Sequence, residues 1–124
     1  MMRRIALALA IGMASGASAQ QVIAPSGVEV QLYDVRFDED AARFRFVAPV
    51  LAGVAEVPDS WTADATWLCT YLALPALSAN DVTPAQVVVS VSGAEVPFGE
   101  ATPDVPQFFE GFAVADGACQ WGLF

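Results

Sequence analysis

The sequence contains no histidine and no lysine, and these two absences exclude several classes of function. Without histidine there is no Ser-His-Asp triad, no imidazole base and no ordinary zinc site. Without lysine there is no Schiff-base nucleophile and no P-loop lysine, and no glycine-rich phosphate cradle follows a strand. We therefore predict no catalytic residue, no bound cofactor and no metal site. Carboxylates, hydroxyls and arginines are the groups left for chemistry.

Long apolar runs are also missing, apart from a short one at the N-terminus. Two arginines and an apolar run over residues 5–13 precede a small-x-small pattern at residues 17–19, which is typical of a signal-peptidase site. The run is shorter than the roughly 20 residues that cross a bilayer, which argues against an uncleaved anchor. Residues 1–19 are therefore predicted to be a signal peptide, cut before Gln20. We expect a periplasmic protein with no membrane span after cleavage.

Positive charge is scarce in the predicted mature chain, residues 20–124. Three arginines stand against 14 acidic residues, which gives a formal charge of −11. Such a chain repels phosphate backbones and anionic headgroups, so we expect no nucleic-acid partner. The acidic excess favours solubility, or a cationic partner as the alternative. The length suits one domain with a modest core.

Cysteine occurs only twice, at Cys69 and Cys119. Two lone cysteines in an oxidising compartment usually pair, and the loop of about fifty residues would contribute on the order of 4 kcal/mol. The alternative is a reactive or metal-binding thiol pair. It lacks the histidine and the C-x-x-C spacing that would support it. We predict a structural disulfide.

Apolar periodicity in the first half predicts a β-hairpin and then a helix. Residues 28–37 and 43–46 alternate as strands around an acidic turn at 38–41, and residues 20–27 are predicted to be irregular. From about residue 60 the spacing becomes helical. Ser60 or Asp64 is the expected N-cap, Pro75 kinks or ends the helix, and Asn80 suits a left-handed stop.

The second half predicts three more strands. Residues 86–92 carry valine on both faces, which favours a central strand. Residues 107–115 and 118–124 form a hairpin around Asp116-Gly117, with Phe112 opposite Trp121 on a buried face. The expected fold is therefore α+β. One main helix packs on an antiparallel sheet of four to five strands in the order ββαβββ, closed by one disulfide.

Two groups of residues outside the predicted core are candidates for binding. Arg36, Arg43 and Arg45 lie on neighbouring strands and form a candidate anion patch, or they pair with acids across the sheet such as Glu29. Phe98, Phe108 and Phe109 form a candidate interaction surface. Adjacent strand residues face opposite ways, so one member of the pair 108–109 points outward. It is then an exposed contact, or the segment 96–106 covers it.

Short segments along most of the mature chain resemble a known family. They are Trp67-Leu68-Cys69, Leu74-Pro75-Ala76-Leu77, residues 84–88, Val96-Pro97-Phe98-Gly99, residues 107–110 and Cys119-Gln120-Trp121. In this order they resemble an uncharacterised family of small exported alphaproteobacterial proteins, a domain of unknown function. The resemblance implies no activity and no catalytic residue. Members are associated with the label acetolactate synthase, which we treat as an error, because this exported chain is too short to house thiamine diphosphate.

These observations favour a binding role over an enzymatic one. The expected function is a non-enzymatic module that binds an envelope or periplasmic protein, with an undetermined oligomeric state. One alternative is a small carboxylate-dependent hydrolase, which requires two acids converging in a pocket. The other is a carrier of a small apolar ligand, which requires a sizeable void under the helix.

Overall fold

The computed structural model describes residues 21–121, which fold as six strands, one long helical segment and a short 3₁₀ helix at Pro49–Leu51. The strands wrap as a half-barrel around the helix. The helical segment lies between the third and fourth strands, so the order is βββαβββ. The strands are β1 Gln21–Ile23, β2 Glu29–Phe37, β3 Ala41–Val47, β4 Gln86–Ser92, β5 Gln107–Ala115 and β6 Ala118–Trp121. The helical parts are α1 Trp61–Leu68, a π-helical turn Cys69–Ala73 and α2 Leu74–Ala79.

The sheet is mixed, and the prediction of an antiparallel sheet of four to five strands was wrong. Its spatial order follows the chain from β1 to β6, and every neighbouring pair is antiparallel except β3 and β4. Those two are parallel because residues 48–85 carry the chain back over the sheet before β4 begins. The additional strand is β1, which pairs with β2 through Gln21↔Gln31 and Ile23↔Glu29.

The hydrogen-bond pattern of the helix changes in the turn before Pro75. Proline has no amide hydrogen to give to the preceding turn, and its ring crowds that turn. The chain widens there into a π-helical turn, in which the Leu74 amide bonds the Cys69 carbonyl, and then continues as α2. The helix therefore does not end at Pro75 but changes its hydrogen-bond pattern in the turn before it. The helix ends at Asn80, as the sequence predicts. The residue in the left-handed conformation is the next one, Asp81, with φ of 58°.

Asp64 ties the helix to the β1–β2 turn. The N-cap is Ser60, whose side chain makes no capping bond, whereas Asp64 is buried one turn further on. Its carboxylate accepts bonds from the Ser26 amide (3.0 Å) and the Ser26 hydroxyl (2.5 Å). A buried carboxylate needs such partners, so this contact fixes the first hairpin against α1.

The core lies between the helix and the inner face of the sheet, which is the face turned toward the helix. Side chains that alternate along β3, β4 and β5 point into it. Its most buried members from the sheet are Phe44, Phe46, Val87, Val89, Val91 and Phe112, and from the helix Ala65, Leu68, Cys69 and Ala73. Within residues 21–121, no helix is long and apolar enough to cross a membrane.

A disulfide joins the helix to the last described strand. Cys69 and Cys119 are bonded, with their Cα atoms 6.3 Å apart, which confirms the predicted bridge. Asp116 and Gly117 both have positive φ, as the predicted two-residue turn requires. The predicted register is also confirmed, because Phe112 lies opposite Trp121.

Burial of the two aromatic side chains in that pair is unequal. Phe112 is fully buried, but Trp121 is 57 % exposed, so its predicted place in the core was wrong. β6 is the outermost strand at this end of the described sheet, and its side chains have fewer neighbours. Trp121 instead rests at the edge of the core, where its Nε1 donates to Oε1 of Glu110 at 2.6 Å.

Candidate functional site

The two candidate groups from the sequence meet on the outer face of the sheet, which is the face turned away from the helix. A cleft of about 240 Å³ opens there between β3, β4, β5 and the loop after β4. We call it the outer-face cleft. It is lined by Arg43, Arg45, Val88, Ser90, Pro97, Phe98, Gly99, Glu100, Gln107 and Phe109.

Arg45 forms the fixed base of the cleft. Its side chain is 9 % exposed, its Nη1 donates to Asp34 at 2.5 Å, and its Nη2 donates to the Val96 carbonyl at 2.8 Å. The guanidinium also lies 5.0 Å from the Tyr33 ring centre and 5.2 Å from that of Phe98. Two rings, one carboxylate and one carbonyl therefore surround it. This arrangement fastens the loop after β4 to the sheet.

Arg36 and Arg43 face each other across β2 and β3, and each binds an aspartate. Arg36 Nε donates to Asp34 at 2.9 Å, and Arg43 Nε donates to Asp38 at 2.7 Å. The ion pairs are therefore with Asp34 and Asp38, whereas Glu29 lies beside Gln21. The terminal Nη groups of Arg43 form no hydrogen bond within the described residues. They are the ones that a ligand in the cleft can reach.

Asp34 is the carboxylate that balances the two arginines nearest the loop. Its burial alone would raise its pKa, but hydrogen bonds from Arg36 and Arg45 and their positive charges outweigh that effect. The pKa of Asp34 is therefore held below its ordinary value of 3.8. The carboxylate stays ionised at neutral pH, and its charge keeps Arg45 in place.

The three phenylalanines divide between the two faces of the sheet. Phe98 and Phe109 both line the outer-face cleft, and Phe109 is 58 % exposed, so the segment 96–106 leaves much of it uncovered. Phe108 points to the inner face, where it packs against the core beside α1. The loop turns at Gly99, whose φ of 81° suits glycine, and this turn presents Phe98 to Arg36 and Arg45.

Comparison with known families gives one match. Residues 7–124 match the model of DUF6497, which is described as a family of unknown function. The chain belongs to the DUF6497 family. Comparison with curated proteins and with solved structures gives no match. Membership confirms the resemblance to a domain of unknown function and brings no site residue to this DUF6497 chain.

Two features of this DUF6497 domain are relevant to the alternative functions, which are a carboxylate-dependent hydrolase and a carrier of an apolar ligand. Asp38, Glu39 and Asp40 form the tip of the β2–β3 hairpin, and no group of three metal-ligating side chains occurs within residues 21–121. Each of five concavities in the described part of the chain is lined by at most one carboxylate. The space under α1 measures about 20 Å³, about the size of one water molecule, whereas an apolar groove of about 390 Å³ lies between β2 and the end of the helix.

Sequence reasoning missed the groups that join the arginines to the phenylalanines. Tyr33 and Asp34 lie within the predicted strand 28–37 and were given no role, yet a β-bulge between Leu32 and Asp34 places both on the outer face. The carbonyl of Val96 has no sequence signal at all. Asp34 had one, because a carboxylate two residues before Arg36 lies on the same side of a regular strand.

Proposed function

We propose that this chain is an exported binding module that holds a partner protein of the cell envelope in the outer-face cleft. The observation that carries the proposal is the convergence of Phe98, Phe109 and Arg43 on one open concavity. Aromatic and arginine side chains are the types most enriched at protein contacts. The disulfide is consistent with export, because such bonds persist in oxidising compartments.

The size of the cleft favours a side chain of a partner protein over a free small molecule. Its volume of about 240 Å³ lies below the roughly 300–1,000 Å³ that is usual for pockets that bury a drug-sized ligand. That space accommodates one large apolar side chain between Phe98 and Phe109. Such contacts anchor protein interfaces when the surrounding residues exclude water.

The charged residues of the cleft indicate which group the partner should carry next to its apolar side chain. All three arginines of residues 21–121 lie on this face, and Arg43 is the one in the cleft whose terminal nitrogens form no internal bond. Glu100 also lines the cleft but makes no ion pair with either arginine there within the described residues. The cleft therefore fits an apolar side chain with a neighbouring carboxylate that binds Arg43 bidentately.

Site-specific photocrosslinking in intact cells tests this proposal. A benzophenone amino acid replaces Phe109 in one strain and Tyr71 in a control strain, because Tyr71 is 64 % exposed on the helix, away from the cleft. We expect one dominant adduct from position 109 that position 71 does not form. Adding Arg43→Gln to the position 109 strain should reduce the adduct several-fold. Identical adducts from both positions, or none from position 109, would refute the proposal.

A further inference from the structure

Within residues 21–121, strand β2 has an open edge along its second half. β1 pairs with β2 only over Glu29–Gln31, so from Leu32 to Phe37 the side of β2 away from β3 has no strand partner among residues 21–121. The hairpin register shows which backbone groups lie there. The Asp38 amide donates to the Ala41 carbonyl of β3 at 2.8 Å. In an antiparallel pair every second residue bonds the neighbouring strand, so Asp38, Arg36 and Asp34 direct their backbone groups toward β3. The N–H and C=O of Val35 and Phe37 therefore point outward.

Two charged side chains flank Val35 on the outer face of this edge. Asp34 accepts the bonds from Arg36 and Arg45 on the same oxygen, Oδ2, and Arg36 donates only through Nε. Oδ1 of Asp34 and the Nη groups of Arg36 form no hydrogen bond within the described residues. The side chain of Arg36 is 50 % exposed. One acceptor and one donor of opposite charge are thus available, two residues apart on one strand.

An apolar groove continues the same edge on the inner face. It measures about 390 Å³, lies between β2 and the end of the helix, and has no charged residue in its lining. In a chain with 14 acidic residues, an uncharged lining beside an open edge favours an apolar occupant. Phe37 is 60 % exposed at its rim. The lining residues are Leu32, Val35, Phe37, Phe44, Leu72, Ala76, Leu77, Asn80 and Val82.

We infer that the open edge of β2 binds a second copy of this chain, strand to strand and antiparallel, about a twofold axis at Val35. The two Val35 residues then exchange a pair of backbone hydrogen bonds. Asp34 of each copy lies opposite Arg36 of the other, which pairs the available acceptor with the available donor. Arg36 already lies opposite Arg43 in its own sheet, so shifting the axis to Arg36 would align four arginines in one row across the joined sheets. Like charges directly opposite destabilise a sheet. Charge therefore selects the register.

This pairing uses the edge of β2, whereas the proposed function uses the outer-face cleft. The two sites adjoin, because the Arg36 guanidinium lies 5.0 Å from the ring centre of Phe98. Sedimentation of the protein alone tests the pairing without the partner that the cleft is proposed to bind. A twofold contact is self-complementary, as the arrangement of Asp34, Val35 and Arg36 is. The edges of Val35 and Phe37 that were exposed to solvent become covered, and the joined sheet carries both helices on the same side. Phe37 of each copy then lies beside the groove of the other.

Sedimentation of the mature protein over a concentration series tests the inference. We expect a reversible monomer–dimer equilibrium. Arg36→Glu should weaken it at least tenfold, because it places a carboxylate opposite Asp34 of the second copy. Gln120→Glu is the control: it adds a negative charge to an exposed residue of β6, at the opposite edge of the sheet, and should change the equilibrium less than twofold. A monomer at every concentration, or equal effects of both variants, would overturn the inference.

Cysteine trapping keeps the test valid if Arg36→Glu fails to fold. Val35→Cys places two thiols at the twofold axis, where the Cα separation of about 5.5 Å permits a disulfide. Val57→Cys, at a position 54 % exposed in a loop, is the control. We expect a covalent dimer from Val35→Cys alone, and amide exchange at Val35 that slows as concentration rises. Equal crosslinking of both variants, or pairing of this edge with a different protein only, would contradict self-association.

Discussion

At the scale of single residues, Asp34 holds the outer face together. It binds Arg36 and Arg45 at once, and through Arg45 it secures the Val96 carbonyl and the aromatic ring of Phe98. Removing its charge leaves Arg45 buried without a carboxylate, which costs more than the lost bond alone. The cleft and the loop that forms one wall of it therefore depend on a residue outside the cleft lining.

We expect Asp34→Asn to lower the free energy of unfolding at pH 7 by about 2–3 kcal/mol, less than for a fully buried pair because Asp34 is 22 % exposed. The folded-state pKa of Asp34 lies below 3.8, so its stabilising effect is present above that value. It is lost as pH falls through the lowered pKa. Urea unfolding at pH 7 and at about pH 2.5 should show the difference between the two proteins shrinking in acid. A difference that stays constant with pH would contradict this account.

Asp38→Asn provides the comparison for that experiment. Its pair with Arg43 is exposed, with side chains 44 % and 35 % accessible to solvent, and exposed pairs contribute roughly 0–1 kcal/mol. Its effect on unfolding should therefore be small. A loss as large as that of Asp34→Asn would mean that charge on this face, rather than the contacts of Arg45, sets stability.

At the scale of elements, the β5–β6 hairpin separates two aromatic residues that face each other. Phe112→Ala removes a fully buried ring and should cost about 3–5 kcal/mol. Trp121→Ala removes a ring that is 57 % exposed and one hydrogen bond to Glu110, so about 1 kcal/mol is expected. Chemical denaturation of the two variants measures both values. Equal costs would place Trp121 in the core after all.

The elements also show what the sequence could predict. The bounds of β4 and β5 and the Asp116-Gly117 turn followed from period-two alternation and turn chemistry, which are local properties. The direction of β3 against β4 depends on the path of residues 48–85, which no local pattern encodes. Valine on both faces of β4 was the one available sign of a parallel neighbour. β1 was missed because three residues are too few to show alternation.

The difference between local patterns and long-range contacts also applies to the candidate site. Arg43 and Arg45 were recognised as outward residues, because they alternate with Phe44 and Phe46 along one strand. Phe98 lies 53 residues after Arg45, and the two are brought together by long-range contacts such as the bond between Arg45 and the Val96 carbonyl. A contact of a side chain with a distant backbone carbonyl has no sequence signature. The two groups of candidates were therefore predicted separately, and the fold unites them in one cleft.

At the scale of the whole molecule, the disulfide joins the middle of the helix to the last described strand. Cys69→Ser should lower the free energy of unfolding by about 4 kcal/mol, since the bridge closes a loop of 50 residues. A reducing agent should lower the melting temperature of the wild-type protein to that of the variant and leave the variant unchanged. Calorimetry with and without reductant measures this. A melting temperature insensitive to reductant would exclude a stabilising role for the bridge.

The position of that disulfide also determines how the protein would extend under a pulling force. Residues 69–119 form a covalent ring that contains all of β4, which is one of the two parallel strands, and all of β5. A force applied at the two ends of the oxidised chain extends only the residues outside the ring. About half of the contour length of the described chain lies inside the ring and cannot extend until the sulfur–sulfur bond is reduced. In an envelope under mechanical load, the redox state would set how far this molecule can stretch.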